Sequence, residues 1–240
     1  MKLITYILLF TSLNAFSNDA DSLFAIGNYH YDNEAYQKAI ESYFAIESDE
    51  HASAVYHNLG NSYYLKGDIP NSILFYERAL LLKNDLQTQE NLKLAKKRIQ
   101  EIESIPILFP IHWWNSISQL LHTKHWMILS SVFVWISCLL LFLFLKNRQK
   151  ATFNLFLTAV FFTILLALVS HRSNHLSKKT YGIILKNTPF FSDITDSKTS
   201  VTITAGNKIE IIDNNYEEYS FITLQNGESG WVSQSDIEDI

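Results

Sequence analysis

Four histidines in this sequence fall into two pairs, His122 with His125 and His171 with His175. Spacings of three and four put each pair on one face of a helix, as ligation of a metal or a haem iron requires. Each pair stands at one end of a long uncharged run, so a hairpin of two helices would present both pairs at the same surface. No acid and no cysteine accompanies them, and pair spacing alone is a weak motif for a metal. The competing reading is four histidines at the level of lipid headgroups. Other chemistry is harder to find. The chain has no phosphate loop and no GxSxG, HExxH or CxxC, and its single cysteine, Cys138, can form no intrachain disulfide. The expectation is a protein that is not an enzyme, with no catalytic set, no metal and no cofactor.

The elements that would carry these residues are marked by charge. Residues 18–103 hold 14 Asp and Glu against 8 Lys and Arg; residues 104–180 hold 7 Lys and Arg and no acid; residues 181–240 hold 10 acids against 3 bases. Acidic soluble parts thus flank a basic, apolar middle, which argues against nucleic acid as a partner. Residues 126–145 and 151–170 are uncharged, and about 20 residues at 1.5 Å each span the roughly 30 Å hydrocarbon core of a bilayer. They read as transmembrane helices 1 and 2, joined by a cytoplasmic loop at 146–150 that carries Lys146, Arg148 and Lys150. Residues 1–17 read as a signal peptide, with an apolar core after Lys2 and small residues at Ala15 and Ser17. Export of the first soluble part followed by two crossings leaves both acidic parts on the outer side. Residues 105–125, with Trp113 and Trp114, form an amphipathic segment expected along the membrane surface. Residues 171–180 are read as a linker.

Residues 18–104 contain a repeat. Aligning GNYHYDNEAYQKAIESYF with GNSYYLKGDIPNSILFYERAL on Gly27 and Gly60 gives a period of 33. The second copy supplies Tyr56, Leu59, Gly60, Tyr63, Ser72, Tyr76 and Ala79, and the first Leu23, Ile26, Gly27, His30, Ala39, Tyr43 and Ile46. Small residues allow close helix approach, the tyrosines fill the space between helix pairs, and Asp68 caps the helix that Pro70 opens. This pattern resembles the tetratricopeptide repeat (TPR), with residues 84–102 as a capping helix. The resemblance implies a peptide-holding groove lined by the first helix of each pair, at Phe24, Asn28, Tyr31, His57, Asn61 and Tyr64.

Residues 181–240 alternate and turn like a small all-β domain, with a turn at Ala205-Gly206-Asn207 and a hairpin signal at Asn226-Gly227. The pieces AGNKIEII, YSFITL and NGESGWV resemble a bacterial SH3-like barrel, a module that binds peptides or cell-wall fragments in exported proteins. The expected architecture is therefore a multidomain membrane protein: an all-α TPR helical repeat, a transmembrane α-hairpin and a C-terminal all-β SH3-like barrel.

The order of these parts is similar to that of the E-type proteins of the Bacteroides aerotolerance (Bat) operons. That resemblance implies an inner-membrane protein with its TPR and SH3-like domains in the periplasm. It implies a scaffold for protein–protein interaction in an envelope complex tied to stress or oxygen tolerance. The implied partners are other envelope proteins, including von Willebrand A-type and TPR membrane proteins. The alternative is an anchor that binds peptidoglycan through the SH3-like domain.

Overall fold

A computed structural model describes residues 20–47, 51–99, 101–102, 106, 108–193, 200–216 and 218–240. The expected signal peptide, 1–17, lies outside the described residues. These hold eight α-helices and a seven-stranded antiparallel sheet, divided between two compact units: one made of residues 1–104 and 180–240, the other of Ile105–Lys179.

The first unit opens with five helices: α1 (20–32), α2 (Tyr36–Phe44), α3 (Ala52–Lys66), α4 (Ile69–Leu82) and α5 (Leu86–Lys96). Local chemistry sets their ends. The Asp68 carboxylate accepts the Asn71 N–H at 3.3 Å and caps α4, with Pro70 in the first turn, where its missing N–H costs nothing. Asp85 caps α5 in the same way, accepting the Thr88 N–H at 2.9 Å. Two turns break the helices at equivalent positions of the repeat. Gly67 ends α3 at φ 90°, and Glu34 takes the same left-handed region at φ 59° between α1 and α2. Ala39, Ile40, Tyr43, Leu59, Ile73, Phe75 and Tyr76 form the core of the array.

The sheet runs β1 (Thr180–Ile184), β2 (Thr188–Phe191), β3 (Ser200–Ile203), β4 (Lys208–Asp213), β5 (Tyr219–Thr223), β6 (Ser229–Ser233) and β7 (Ile237–Asp239), in the spatial order β3-β2-β6-β5-β4-β1-β7. Period-two burial of Ile209 and Ile211 on β4, Ser220 and Ile222 on β5, and Gly230 and Val232 on β6 directs one face into its own core. Both expected turns are present, with Gly206 at φ 92° and Gly227 at φ 84°. The sheet is open: β3 and β7 are its edges among the described residues.

Helices and sheet share a core. Ile183 on β1 is fully buried within the helical cluster, and Leu185 and Ile240 pack beside it. A Cβ on Gly206 would lie 3.0 Å from Ile99 and 3.2 Å from Ile73, so this turn seats its bare backbone against α4 and the chain after α5. Polar links ring the contact. Lys208 Nζ donates to the Glu77 carboxylate at 2.8 Å, which Lys96 also meets at 3.1 Å; Arg78 pairs with Glu238 at 2.8 Å; and the buried Asn207 side chain accepts the Ile102 N–H at 2.8 Å. Burial alone would push the Glu77 carboxyl up, but the two lysine ammonium groups outweigh it and hold it below the usual carboxylate range.

The second unit contains α6 (Phe109–Gln119), α7 (Thr123–Asn147) and α8 (Lys150–Ser177). The latter two are long and apolar enough to cross a membrane. Their large apolar side chains, among them Trp135, Phe142, Phe161 and Leu168, are mostly exposed, unlike those of a soluble core helix. Serine and threonine line the seam between them. Ser137 Oγ lies 3.5 Å from Thr163 Oγ1, and Thr123 Oγ1 lies 3.0 Å from Ser173 Oγ. Small polar residues let apolar helices approach closely. Both helices outrun the apolar segments. The anticipated loop 146–150 shrinks to Arg148 and Gln149, with Arg148 at φ 55° closing α7. The anticipated linker 171–180 is helical through Ser177, since no Gly or Pro interrupts it.

Candidate functional site

Four asparagines and two tyrosines order the inner helices of the array. Tyr43 Oη donates to Asn28 Oδ1 at 2.7 Å, and Asn58 Nδ2 donates to the same oxygen at 3.0 Å. One repeat later Tyr76 Oη donates to Asn61 Oδ1 at 2.7 Å, and Asn91 Nδ2 donates to it at 2.9 Å. Positions 28, 43 and 58 recur at 61, 76 and 91, a spacing of 33 each time. Each tyrosine lies on the glycine of its own repeat: a Cβ on Gly27 would stand within 2.7 Å of two Tyr43 ring carbons, and one on Gly60 would stand 2.5 Å from two of Tyr76. The glycines are thus seats for rings. Burial pushes the Tyr43 hydroxyl up to about 12, and raises that of Tyr76 as well, so both stay protonated donors.

This alters the roles expected of Asn28 and Asn61. Their carbonyl oxygens, anticipated as acceptors for a bound peptide, each hold two hydrogen bonds inside the protein. That leaves only their amide nitrogens for a ligand, and Asn28 lines neither of the two cavities described next. The other anticipated residues divide. Tyr31, Asn61 and Tyr64 are brought together around one cavity of about 170 Å³, completed by Leu65, Asn91 and Leu94. Arg98 lies over the Tyr64 ring, 4.7 Å from its centroid. His57 lines a second cavity of about 350 Å³ with His51, Asn58, Lys83 and Asp85. Phe24 lines neither: its ring packs 5.9 Å from both His51 and Tyr43.

His57 is held by a relay. Thr88 Oγ1 donates to Asp85 Oδ2 at 2.6 Å, which leaves the Thr88 oxygen to accept the Nδ1–H of His57 at 2.7 Å. Burial pulls the His57 pKa down, and the Asp85 charge opposes that only in part. Asp85 itself is held below its usual range by the two hydrogen bonds from Thr88. The cavity therefore presents a neutral imidazole with Nε2 as an acceptor.

Asn58, Asn91, Thr88, Asp85 and Arg98 were absent from the sequence-based set. The recurrence of Asn58 at Asn91 was a signal of the same strength as that of Asn28 at Asn61. The Thr88 relay has no counterpart one repeat earlier, where Val55 stands, and periodicity could not have found it.

The four paired histidines, His122, His125, His171 and His175, are not gathered into such a site. The rings of His122 and His125 lie 6.1 Å apart, and among the described residues no group of three or more His, Cys, Asp or Glu is placed to hold a metal. On the sheet, Trp231 meets Tyr216 edge-on at 4.6 Å and Phe221 at 5.0 Å.

No family model matches the chain, and no curated protein matches it.

Proposed function

We propose that this protein is a membrane-anchored, non-enzymatic scaffold whose TPR-type array grips a segment of a partner protein. The cavity shared by Tyr31, Asn61 and Tyr64 carries the reading. It offers aromatic walls for an apolar side chain and amide groups for a peptide backbone, and all three residues sit on the inner helices where a TPR array binds. The two long apolar helices support the anchor. The array and the sheet pack as one unit although the hairpin separates them in sequence. A chain that crosses a bilayer twice returns to the side it left, as that packing requires.

On this reading the protein resembles the Bat E-type proteins. It sits in the inner membrane with array and sheet in the periplasm, among partners of the envelope complex described above. The test is crosslinking in intact membranes followed by purification of the full chain. Asn61 holds Tyr76 and Asn91, so its truncation would confound binding with stability. Tyr31→Ser with Tyr64→Ser is the cleaner variant. Loss of defined membrane proteins from the crosslinked set supports the scaffold; their full retention overturns the groove assignment.

A second reading rests on Tyr216, which is 51 % exposed and stands against Trp231. Such rings stack on sugars, as a peptidoglycan anchor requires. Retention of the full chain on purified peptidoglycan, lost in Tyr216→Ala, would favour it over the protein scaffold.

A further inference from the structure

The unit Ile105–Lys179 has seven Lys and Arg and no acid of its own. Lys146, Arg148 and Lys150 lie at the turn between α7 and α8. Lys124 and Arg172 lie at the opposite end, where Thr123 and Ser173 join the two helices. Arg172 is held by a hydrogen bond to a neighbouring helix. It is half-buried, and its Nε donates to Asn115 Oδ1 of α6 at 2.9 Å. Helix α6 is in turn fixed by the buried Trp126, whose Nε1 donates to the Ser118 carbonyl at 3.2 Å. An unrestrained arginine at a membrane boundary extends its charge into water. This one has its guanidinium plane set by an asparagine. Its two Nη groups meet no acceptor among the described residues and are not buried, so a fixed fork of donors is open to an anion from outside the protein.

Depth indicates which anion. The uncharged run of α8 ends at Ser170, and that of α7 begins at Trp126. With runs as long as the hydrocarbon core, Arg172 and Lys124 each fall two residues outside it, at headgroup level. Exposed Phe109, Ile111 and Trp113 on α6 suit the same boundary. We propose that Arg172, oriented by Asn115 and assisted by Lys124, binds the phosphate of an anionic phospholipid headgroup. The site rests on the membrane-inserted reading above. The guanidinium fork matches two phosphate oxygens, and the absence of acids from the whole unit removes competition for it.

The experiment uses the full chain in dodecyl maltoside and follows thermal unfolding as phosphatidylglycerol, phosphatidylcholine or inorganic phosphate is added. Phosphatidylglycerol is expected to raise the unfolding temperature, and the other two to leave it unchanged. Arg172→Gln and Asn115→Ala should each raise the phosphatidylglycerol concentration for half the shift about fivefold, the usual weight of one cation at a lipid surface. The exposed Lys124→Gln should raise it less, and Arg148→Gln at the far end should leave it within about twofold. The site is overturned if phosphatidylcholine or free phosphate acts as well as phosphatidylglycerol, or if Arg148→Gln weakens the effect as much as Arg172→Gln. Extraction from membranes by alkaline carbonate would sink membrane insertion itself. Resistance to carbonate with no preference for phosphatidylglycerol would sink only the lipid site.

Discussion

The ring of Tyr76 lies directly on Gly60, so that the smallest added side chain would meet two ring carbons at 2.5 Å. Tyr76 is 2 % exposed and bound through its hydroxyl to Asn61, so the ring cannot swing away. Gly60→Ala is therefore expected to destabilise the full chain by about 1–3 kcal/mol, the range for overpacking a closed core. Tyr76→Phe keeps the packing and loses one hydrogen bond, at about 1 kcal/mol. Thermal unfolding of both variants checks this; a larger loss in Tyr76→Phe than in Gly60→Ala would mean that the hydroxyl, not the fit, dominates.

Glu34 and Gly67 stand 33 positions apart in the same left-handed turn conformation. A residue with a Cβ is strained there by about 1 kcal/mol. Glu34→Gly should raise stability by up to about 1 kcal/mol, and Gly67→Ala should lower it by a similar amount although no atom lies within 4 Å of the new methyl. A falling unfolding temperature in Glu34→Gly would contradict the turn assignment.

Glu77 couples the array to the sheet through Lys208 on β4, and Lys96 of α5 meets the same carboxylate. Its folded pKa is lowered, so the stability it confers is present above the unfolded value of about 4.3 and is lost as pH falls through the folded one. Glu77→Gln should cost about 1–3 kcal/mol at pH 7, between the values for surface and buried pairs. It should also flatten the acid limb of a stability–pH curve. An unchanged acid limb would show that other carboxylates govern it.

His57 also has a lowered folded pKa. The neutral ring's contribution is complete above the unfolded value of about 6.5 and declines as pH falls below it toward the folded value. Nitrogen chemical shifts should report the Nδ1–H tautomer at pH 7. Thr88→Val should abolish that preference, whereas a tautomer mixture in the parent chain would remove the relay.

The repeat was legible because its small residues and tyrosines recur at a fixed spacing, and so were the two apolar runs and the Gly206 and Gly227 turns. The competition for Asn28 and Asn61 was not. Periodicity shows that a side chain recurs but not whether its oxygen faces outward or is held by a tyrosine from the next helix. Nor did Lys208 and Glu77, 131 positions apart, carry any local signal that they meet. Helix ends misled for a plainer reason: hydropathy measures the apolar run, while α8 continues through Arg172 and Ser173, which find partners on α6 and α7.

The unit that joins the array to the sheet is discontinuous, and this imposes an order in time. When the array has left the ribosome, Ile73 and Ile99 still lack the Gly206 turn, and Glu77 still lacks Lys208. The 75 residues from Ile105 to Lys179 must be made before β1 exists. At about 5–20 residues per second that is a delay of roughly 4–15 s. Throughout it, the newborn array has one raw flank, which a chaperone or a neighbouring chain can reach before its own sheet arrives.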